Sequence, residues 1–204
     1  REVAESLSEN QPLVAIRARG LHGDETLPES IEAMASDYVE AIRERQPTGQ
    51  YLIGGWSLGG VIAYDVAKQL VASGAKVAGL SLLDSTVPEN SDASGPSAGQ
   101  EYGIDLSLTE LSQLSGEEQL PFLYEHAQRL GVLDESTPRE VTTRVIEDLR
   151  RLFSHHVDLC QAYELQRIDV AVLLLRPTEI PGDADPRPDR GWSDWGGSVT
   201  VKSI

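Results

Sequence analysis

The order of apolar and polar residues predicts strands that alternate with helices in the first part of the chain. Short apolar runs at residues 13–18, 51–54 and 77–83 have the length and composition of buried strands. Between them, residues 27–45 and 61–71 place apolar side chains at steps of three and four, the period of one helical face. Strands and helices in this order form parallel sheets with right-handed crossovers, so we predict an α/β fold with a mostly parallel sheet.

Capping residues support the predicted helix ends. Thr26 followed by Glu29 has capping-box spacing at the start of the first helix, and Pro47 with Gly49 ends it. Gly74 stands where a C-terminal cap of the second helix is expected. The predicted boundaries therefore agree with the periodicity.

The pattern changes after residue 90. Residues 90–103 are rich in Ser, Gly, Pro and Asp, which predicts a loop, and residues 108–166 carry only helical signals. One long helix there has an apolar face made of Val141, Val145, Leu149, Leu152, Phe153, His156, Cys160 and Tyr163. Strand-like runs at residues 168–175 and 199–204 then resume the sheet. A helical block is therefore inserted between strands.

Composition and charge exclude several function classes. The 204 residues are 40% hydrophobic and 25% charged, which is typical of one globular domain. A net charge of −16 argues against a nucleic-acid-binding surface. The chain has no long apolar run and no signal-peptide pattern, so we expect no membrane span and a cytoplasmic location. The lone Cys160 cannot form an internal disulfide, and we predict that it packs in the core.

Residues 55–59 match G-x-S-x-G, the nucleophile elbow, between a predicted strand and a predicted helix. Such a turn holds Ser57 in a strained conformation with its hydroxyl above the sheet edge. Gly55 and Gly59 would let the strand and the helix approach each other. Leu58 would offer its backbone N–H, at the start of the helix, to a developing oxyanion.

A serine nucleophile needs a base, and the base needs an orienting carboxylate. Asp84 follows the strand at residues 77–83 directly, as the acid of such a triad does, although an Asp there can equally be a turn former or a helix cap. Glu179 and Asp183, after the next strand, are rival acids in a Pro-rich loop.

The base is harder to place among four histidines: His22, His126, His155 and His156. The chain order of nucleophile, acid and base excludes only His22. The other three lie in the helical block, where His156 falls on the apolar face and is predicted to be a core histidine. No two histidines have the i, i+4 spacing of a metal pair, so we predict no metal site. Trp192 and Trp195 are expected to cap a core edge rather than line a pocket.

Three stretches carry a resemblance to a known family: RARGL at residues 17–21, GGWSLGGVIAYDVAKQL at residues 54–70 and LSLLDSTVP at residues 80–88. Together with the helical block they resemble the thioesterase domain, of the α/β-hydrolase family, that terminates nonribosomal peptide and polyketide synthases. Trp56 before the serine resembles the terminal, product-releasing domains more than the free-standing editing enzymes.

The resemblance implies a division of the chain. Residues 1–90 would be the first part of the α/β-hydrolase core, residues 91–166 a helical lid, and residues 167–204 the continued core. The family's second oxyanion donor lies before the equivalent of Arg1, and its catalytic histidine follows the strand that matches residues 198–204. We therefore expect a chain trimmed at both ends, with the catalytic histidine after Ile204.

The resemblance also implies the chemistry. Ser57 would take an acyl or peptidyl chain from the phosphopantetheine thioester of an upstream carrier protein domain, and Asp84 would orient the histidine. No cofactor would be bound by the domain itself. Hydrolysis and macrocyclisation share this acyl-enzyme and both stay open. The alternatives are a discrete editing thioesterase, a general esterase or lipase, and a catalytically silent α/β-hydrolase fold that binds a ligand or protein.

Overall fold

A parallel sheet, with four strands among the described residues, lies at the centre of the fold. The computed structural model describes residues 11–20, 25–88, 121, 139–177 and 187–204. The strands are β1 (Gln50–Trp56), β2 (Lys76–Leu83), β3 (Ala171–Arg176) and β4 (Ser198–Ser203), and they pair in that order. All three pairings are parallel, so the carboxyl ends of the strands lie at one edge of the sheet. The predicted parallel α/β sheet is confirmed.

The α-helices whose bounds lie in the described part of the chain are α1 (Ile31–Arg45), α2 (Leu58–Ala72) and α3 (Arg139–Ala162). The predicted start of α1 was wrong. Ser30 is its N-cap, and Ser30 Oγ accepts a 3.1 Å hydrogen bond from the N–H of Ala33. Pro28 disfavours helical geometry in the residue before it, which keeps Thr26 outside the helix. Within the ranges given above, no helix combines the length and the apolar character needed to cross a bilayer.

The core is built around α2, which packs on β1 and β2 and also contacts α1 and α3. The second half of α3 joins the same core, because Val157 and Cys160 are buried in it together with Tyr163, the residue after the helix. The predicted apolar face of this helix is confirmed from residue 152 onward. The side chains of Val141, Val145 and Leu149 lie outside the described residues, as does most of residues 91–138.

Tyr64 ties α2 to two distant parts of the chain. Its hydroxyl lies 2.8 Å from the carbonyl oxygen of Gln166 and 2.9 Å from that of Trp195, and it can donate to either. Its ring packs against Trp192, with 5.3 Å between the ring centroids. Burial raises the pKa of Tyr64 to about 12, so the hydroxyl stays protonated and keeps its donor role.

Residues 13–18 do not form the buried strand that their composition predicts. Leu13 is 54% exposed and Val14 is 62% exposed. The segment pairs with no described strand, and β1 is the outermost strand of the described sheet. Apolar, β-branched residues favour a strand, but the strand forms only where a neighbour accepts its backbone hydrogen bonds.

Candidate active site

Ser57 occupies the sharp turn between β1 and α2. Its φ and ψ angles are 53° and −127°, a conformation that residues other than glycine rarely adopt. Its N–H donates a 2.8 Å hydrogen bond to the carbonyl oxygen of Leu83, and its own carbonyl accepts one of 2.9 Å from the N–H of Gly60. The strained turn is therefore held from both sides, as in a nucleophile elbow.

Gly55 has the steric role predicted for it, whereas Gly59 and Gly60 differ from the prediction. A Cβ on Gly55 would lie 2.0 Å from the carbonyl oxygen of Gly59, so the strand and the helix can approach only with glycine at position 55. A Cβ on Gly59 would meet no described atom within 4 Å, so the close approach seen among these residues does not need glycine at position 59. A Cβ on Gly60 would lie 2.3 Å from Ser85 Oγ. Gly60 was missed because it lies outside the five-residue motif.

Leu58, the predicted oxyanion donor, is the first residue of α2 and directly follows Ser57. The N–H groups of a helix's first turn have no acceptor within the helix and carry a partial positive charge. The amide of Leu58 is therefore in the part of the helix that can stabilise an oxyanion. Its catalytic role stays a prediction.

Asp84 directly follows β2 at the same edge of the sheet as Ser57. The strand register pairs Trp56 with Leu83, so the next residue on each strand is Ser57 and Asp84. Asp84 also has a positive φ, 46°, and its N–H donates a 2.7 Å hydrogen bond to the carbonyl oxygen of Leu175. The parallel sheet thus brings the predicted nucleophile and the predicted acid onto neighbouring strand ends.

The rival acids Glu179 and Asp183 lie outside the described residues. Asp84 itself contacts a residue that the sequence analysis did not single out, Arg190, whose Nη1 lies 2.8 Å from Asp84 Oδ1. Arg190 is buried, with an exposed fraction of 4%. The sequence contained one hint, since Arg190 precedes Gly191 in a turn-forming segment, but nothing in the pattern pairs it with a residue more than a hundred positions earlier.

The two tryptophans of this segment belong to the core, as predicted. Trp192 is fully buried, and its Nε1–H donates a 2.8 Å hydrogen bond to the carbonyl oxygen of Ser85. Trp195 is partly buried against the same core. Trp192 therefore fixes the backbone next to Asp84 rather than lining a pocket.

Neither described histidine hydrogen-bonds to Asp84. The Nε2 of His155 lies 2.7 Å from the carbonyl oxygen of Pro28. His156 is buried on α3, and burial, together with the neighbouring His155, lowers its pKa to about 4. The expected hydrogen-bonded core histidine is confirmed in its burial, but Nε2 of His156 has no hydrogen-bond partner among the described residues. His22 and His126 lie outside the described residues.

Cys160 is fully buried, and burial raises the pKa of its thiol to about 12. A thiol that stays protonated is a poor nucleophile, so its predicted packing role is confirmed. In the part of the chain that the structure describes, no group of three or more His, Cys, Asp and Glu side chains could hold a metal ion.

Residues 1–195 match the model of a protein family described as Thioesterase domain. The chain belongs to the thioesterase domain family. Its fold is the α/β-hydrolase fold of that family, and the predicted resemblance to the thioesterase domains of nonribosomal peptide and polyketide synthases is confirmed.

Two large synthases and one solved thioesterase domain illustrate the relationship. The chain has 28% identity with the dimodular nonribosomal peptide synthase of Bacillus subtilis (strain 168). The match covers 93% of this chain and 8% of the synthase. It has 40% identity with the non-reducing polyketide synthase ntnG of Nectria sp, in a match that covers 43% of this chain and 4% of the synthase. The NocB thioesterase domain in covalent complex with a fluorophosphonate nocardicin G analogue has 27% identity and a TM-score of 0.56, over 89% of this chain and 66% of that one. The thioesterase chain thus spans less than a tenth of these curated relatives.

Proposed function

We propose that this thioesterase domain releases an acyl or peptidyl chain from the phosphopantetheine thioester of a carrier protein through an ester on Ser57. The observation that carries the proposal is the strained turn at Ser57, in register with Asp84 at the carboxyl edge of the sheet. This arrangement supports a nucleophile with a carboxylate within the same site.

In the first step, Ser57 Oγ attacks the thioester carbonyl carbon while a base takes the hydroxyl proton. The carbonyl oxygen becomes an oxyanion, and the N–H of Leu58 stabilises it. The carbon–sulfur bond then breaks, the thiol of phosphopantetheine leaves with the proton, and the chain stays on Ser57 as an ester. In the second step, water or an amine or hydroxyl of the bound chain attacks this ester and frees Ser57.

The base in this proposal is a histidine whose N–H is accepted by Asp84. We place it after β4 in the full-length protein, because His155 contacts the carbonyl oxygen of Pro28 and His156 is buried on α3, so neither reaches Asp84. The carboxylate would hold the imidazole in one tautomer and stabilise the imidazolium that forms during the attack.

The proposal also assigns the substrate's carrier and the cover of the site. The carrier protein domain would lie upstream in the same synthase and deliver the substrate covalently, which raises its effective concentration. The domain would bind no cofactor of its own. Residues 91–166 would form a lid over an α/β-hydrolase core made of residues 1–90 and 167–204, and the lid would exclude water from the ester.

A fluorophosphonate probe on the full-length protein tests the nucleophile. We expect one adduct by intact mass, its loss in Ser57→Ala, and its retention in Ser73→Ala, a control serine at the opposite end of α2. A carrier-bound thioester then distinguishes the release step, because hydrolysis gives a product heavier by one water than cyclisation. An unlabelled but folded protein would favour a silent binding domain, and equal turnover of small soluble esters a general esterase.

A further inference from the structure

The segment before β4, residues 187–197, contacts the end of β2 through the side chain of Arg190. Its Nη1 lies 2.8 Å from Asp84 Oδ1 and 3.2 Å from Thr86 Oγ1. Arg190 is 4% exposed, so water screens this ion pair far less than a surface pair. Removing the guanidinium would leave a largely buried carboxylate without its cation, which is unfavourable.

The backbone fixes Arg190 in this position. Its N–H donates a 3.1 Å hydrogen bond to the carbonyl oxygen of Arg187, and its own carbonyl accepts one of 3.2 Å from the N–H of Val87. Arg190 has a φ of 48°, next to Gly191 with a φ of 82°. A residue with a side chain is rarely held in this region, so the surrounding structure must stabilise the turn.

The contact with Arg190 uses one oxygen of the Asp84 carboxylate. Oδ1 is buried beside the guanidinium and forms an ion pair with it, without the geometry of a hydrogen bond. No hydrogen bond to Oδ2 is found among the residues that the structure describes. A catalytic acid needs one oxygen free to accept the imidazole N–H, and it needs a fixed plane so that the hydrogen bond has the correct direction. The ion pair restrains the carboxylate through Oδ1 and leaves Oδ2 to the imidazole.

We propose that Arg190 is a positioning residue for the acid of the triad: it holds Asp84 through Oδ1 and leaves Oδ2 to accept the N–H of the catalytic histidine. This inference rests on the proposed function, since it needs Asp84 to be the acid. It adds a residue from the segment before β4 to Ser57 and Asp84 at the ends of β1 and β2.

The test is a double-mutant cycle in the full-length protein with a carrier-bound thioester as substrate. We expect Asp84→Asn to lower kcat by about 10³-fold or more, by analogy with other triads. Arg190→Gln should lower kcat by about 10- to 100-fold with little change in KM, because it misplaces a catalytic group without touching the substrate. The double variant should be no slower than Asp84→Asn, and Arg190→Lys should recover most of the kcat.

Arg167 offers a matched control. Its Nη1 donates a 3.0 Å hydrogen bond to the carbonyl oxygen of Asp194, so it braces the same segment without reaching Asp84. We expect Arg167→Gln to keep kcat within about 2-fold, as for a surface substitution away from the site. If Arg190→Gln does not fold, two variants remain informative. Arg190→Lys keeps a cation beside Asp84, and Arg167→Gln removes a hydrogen bond to the same segment without changing that cation.

Other outcomes would overturn the inference in distinguishable ways. Equal losses in Arg167→Gln and Arg190→Gln, or losses by Arg190→Gln and Asp84→Asn that multiply in the double variant, would show a structural role only. An active Asp84→Asn with an inactive Ser57→Ala would reject Asp84 as the acid and Arg190 with it, while the acyl-enzyme stands. Full activity in Ser57→Ala would reject the proposed function itself.

Discussion

The hydroxyl of Tyr163 donates a 2.6 Å hydrogen bond to Oδ1 of Asp65, a carboxylate that is fully buried inside α2. Lys68 forms an ion pair with the same carboxylate, and Gln69 Nε2 donates to Oδ2 at 2.7 Å. Tyr163 follows α3 directly, so this contact joins the end of the helical block to the helix that begins beside Ser57. Burial, and the hydrogen bond to the Asp65 carboxylate, raise the pKa of Tyr163, which keeps the phenol protonated as a donor.

Tyr163→Phe should therefore destabilise the protein. The substitution leaves a buried carboxylate with one donor fewer, at a cost of about 1 to 3 kcal/mol. Urea denaturation of the two proteins measures the difference. Tyr38→Phe is the matched control, because the described residues include no hydrogen-bond partner for the Tyr38 hydroxyl, and it should change the free energy of unfolding by less than about 0.5 kcal/mol. Equal effects would mean that the Asp65 contact contributes nothing specific.

Acid should weaken the fold through His156. Its pKa falls from 6.5 to about 4 on folding because burial disfavours the imidazolium. Between these values the unfolded chain binds more protons, so the free energy of unfolding falls as the pH falls through this range. We expect a loss of about 1 to 2 kcal/mol from this residue between pH 7.5 and pH 5.

Urea denaturation at the two pH values checks this dependence. His156→Phe should reduce the pH dependence, whereas His155→Phe should retain most of it. An undiminished pH dependence in His156→Phe would contradict the assignment to this imidazole.

The two glycines of α2 beside the elbow should differ in their tolerance of alanine. Gly60→Ala places a Cβ 2.3 Å from Ser85 Oγ, next to Asp84, and overpacking of this kind costs about 1 to 3 kcal/mol. Gly59→Ala has open space and should be neutral or stabilising by up to about 1 kcal/mol, because alanine favours a helix. Thermal denaturation and fluorophosphonate labelling of both variants measure the contrast. Adding Ser85→Gly to Gly60→Ala should remove the clash and restore stability. If the double variant is no more stable than Gly60→Ala, the clash with Ser85 is not the cause of the destabilisation.

We expect the strained backbone at Ser57 to lower the free energy of unfolding. Ser57 has a φ of 53°, which glycine adopts without strain, so Ser57→Gly relieves backbone strain that Ser57→Ala retains. We expect Ser57→Gly to be more stable than Ser57→Ala by about 1 kcal/mol or more. Both variants lose the hydroxyl and should take no label, so chemical denaturation separates them where labelling does not. Equal stability would argue that the turn is unstrained.

Local patterns were enough to predict the elements that carry Ser57 and Asp84. The apolar run before residue 57, the glycines around it and the helical period after it all lie within one short window of sequence. The run before Asp84 was equally clear, although its strand begins at Lys76 and buries mainly Leu80 and Leu82. Periodicity measures local preference, and here local preference and tertiary packing agree.

The failures have a different physical origin. Residues 13–18 have strand composition, but whether they pair depends on which neighbour lies beside them. The capping box at Thr26 competes with Ser30, and Pro28 decides between them. Arg190 was missed because a buried ion pair across two loops leaves no periodic signal in either loop. The steric role of Gly60 depends on where Ser85 falls after the crossover.

Tyr64 also has a consequence for how such domains diversify. Its hydroxyl meets the carbonyl oxygens of Gln166, the last residue of the predicted lid, and Trp195, in the segment that carries Arg190. The exit of the helical block is therefore anchored to the same atom as the segment that braces Asp84. Because this anchor lies at Gln166, a change in the length of the chain before it need not move β3 in the sheet. Ser57 and Asp84 can then keep their positions on neighbouring strand ends while the chain between β2 and β3 varies in length over evolution.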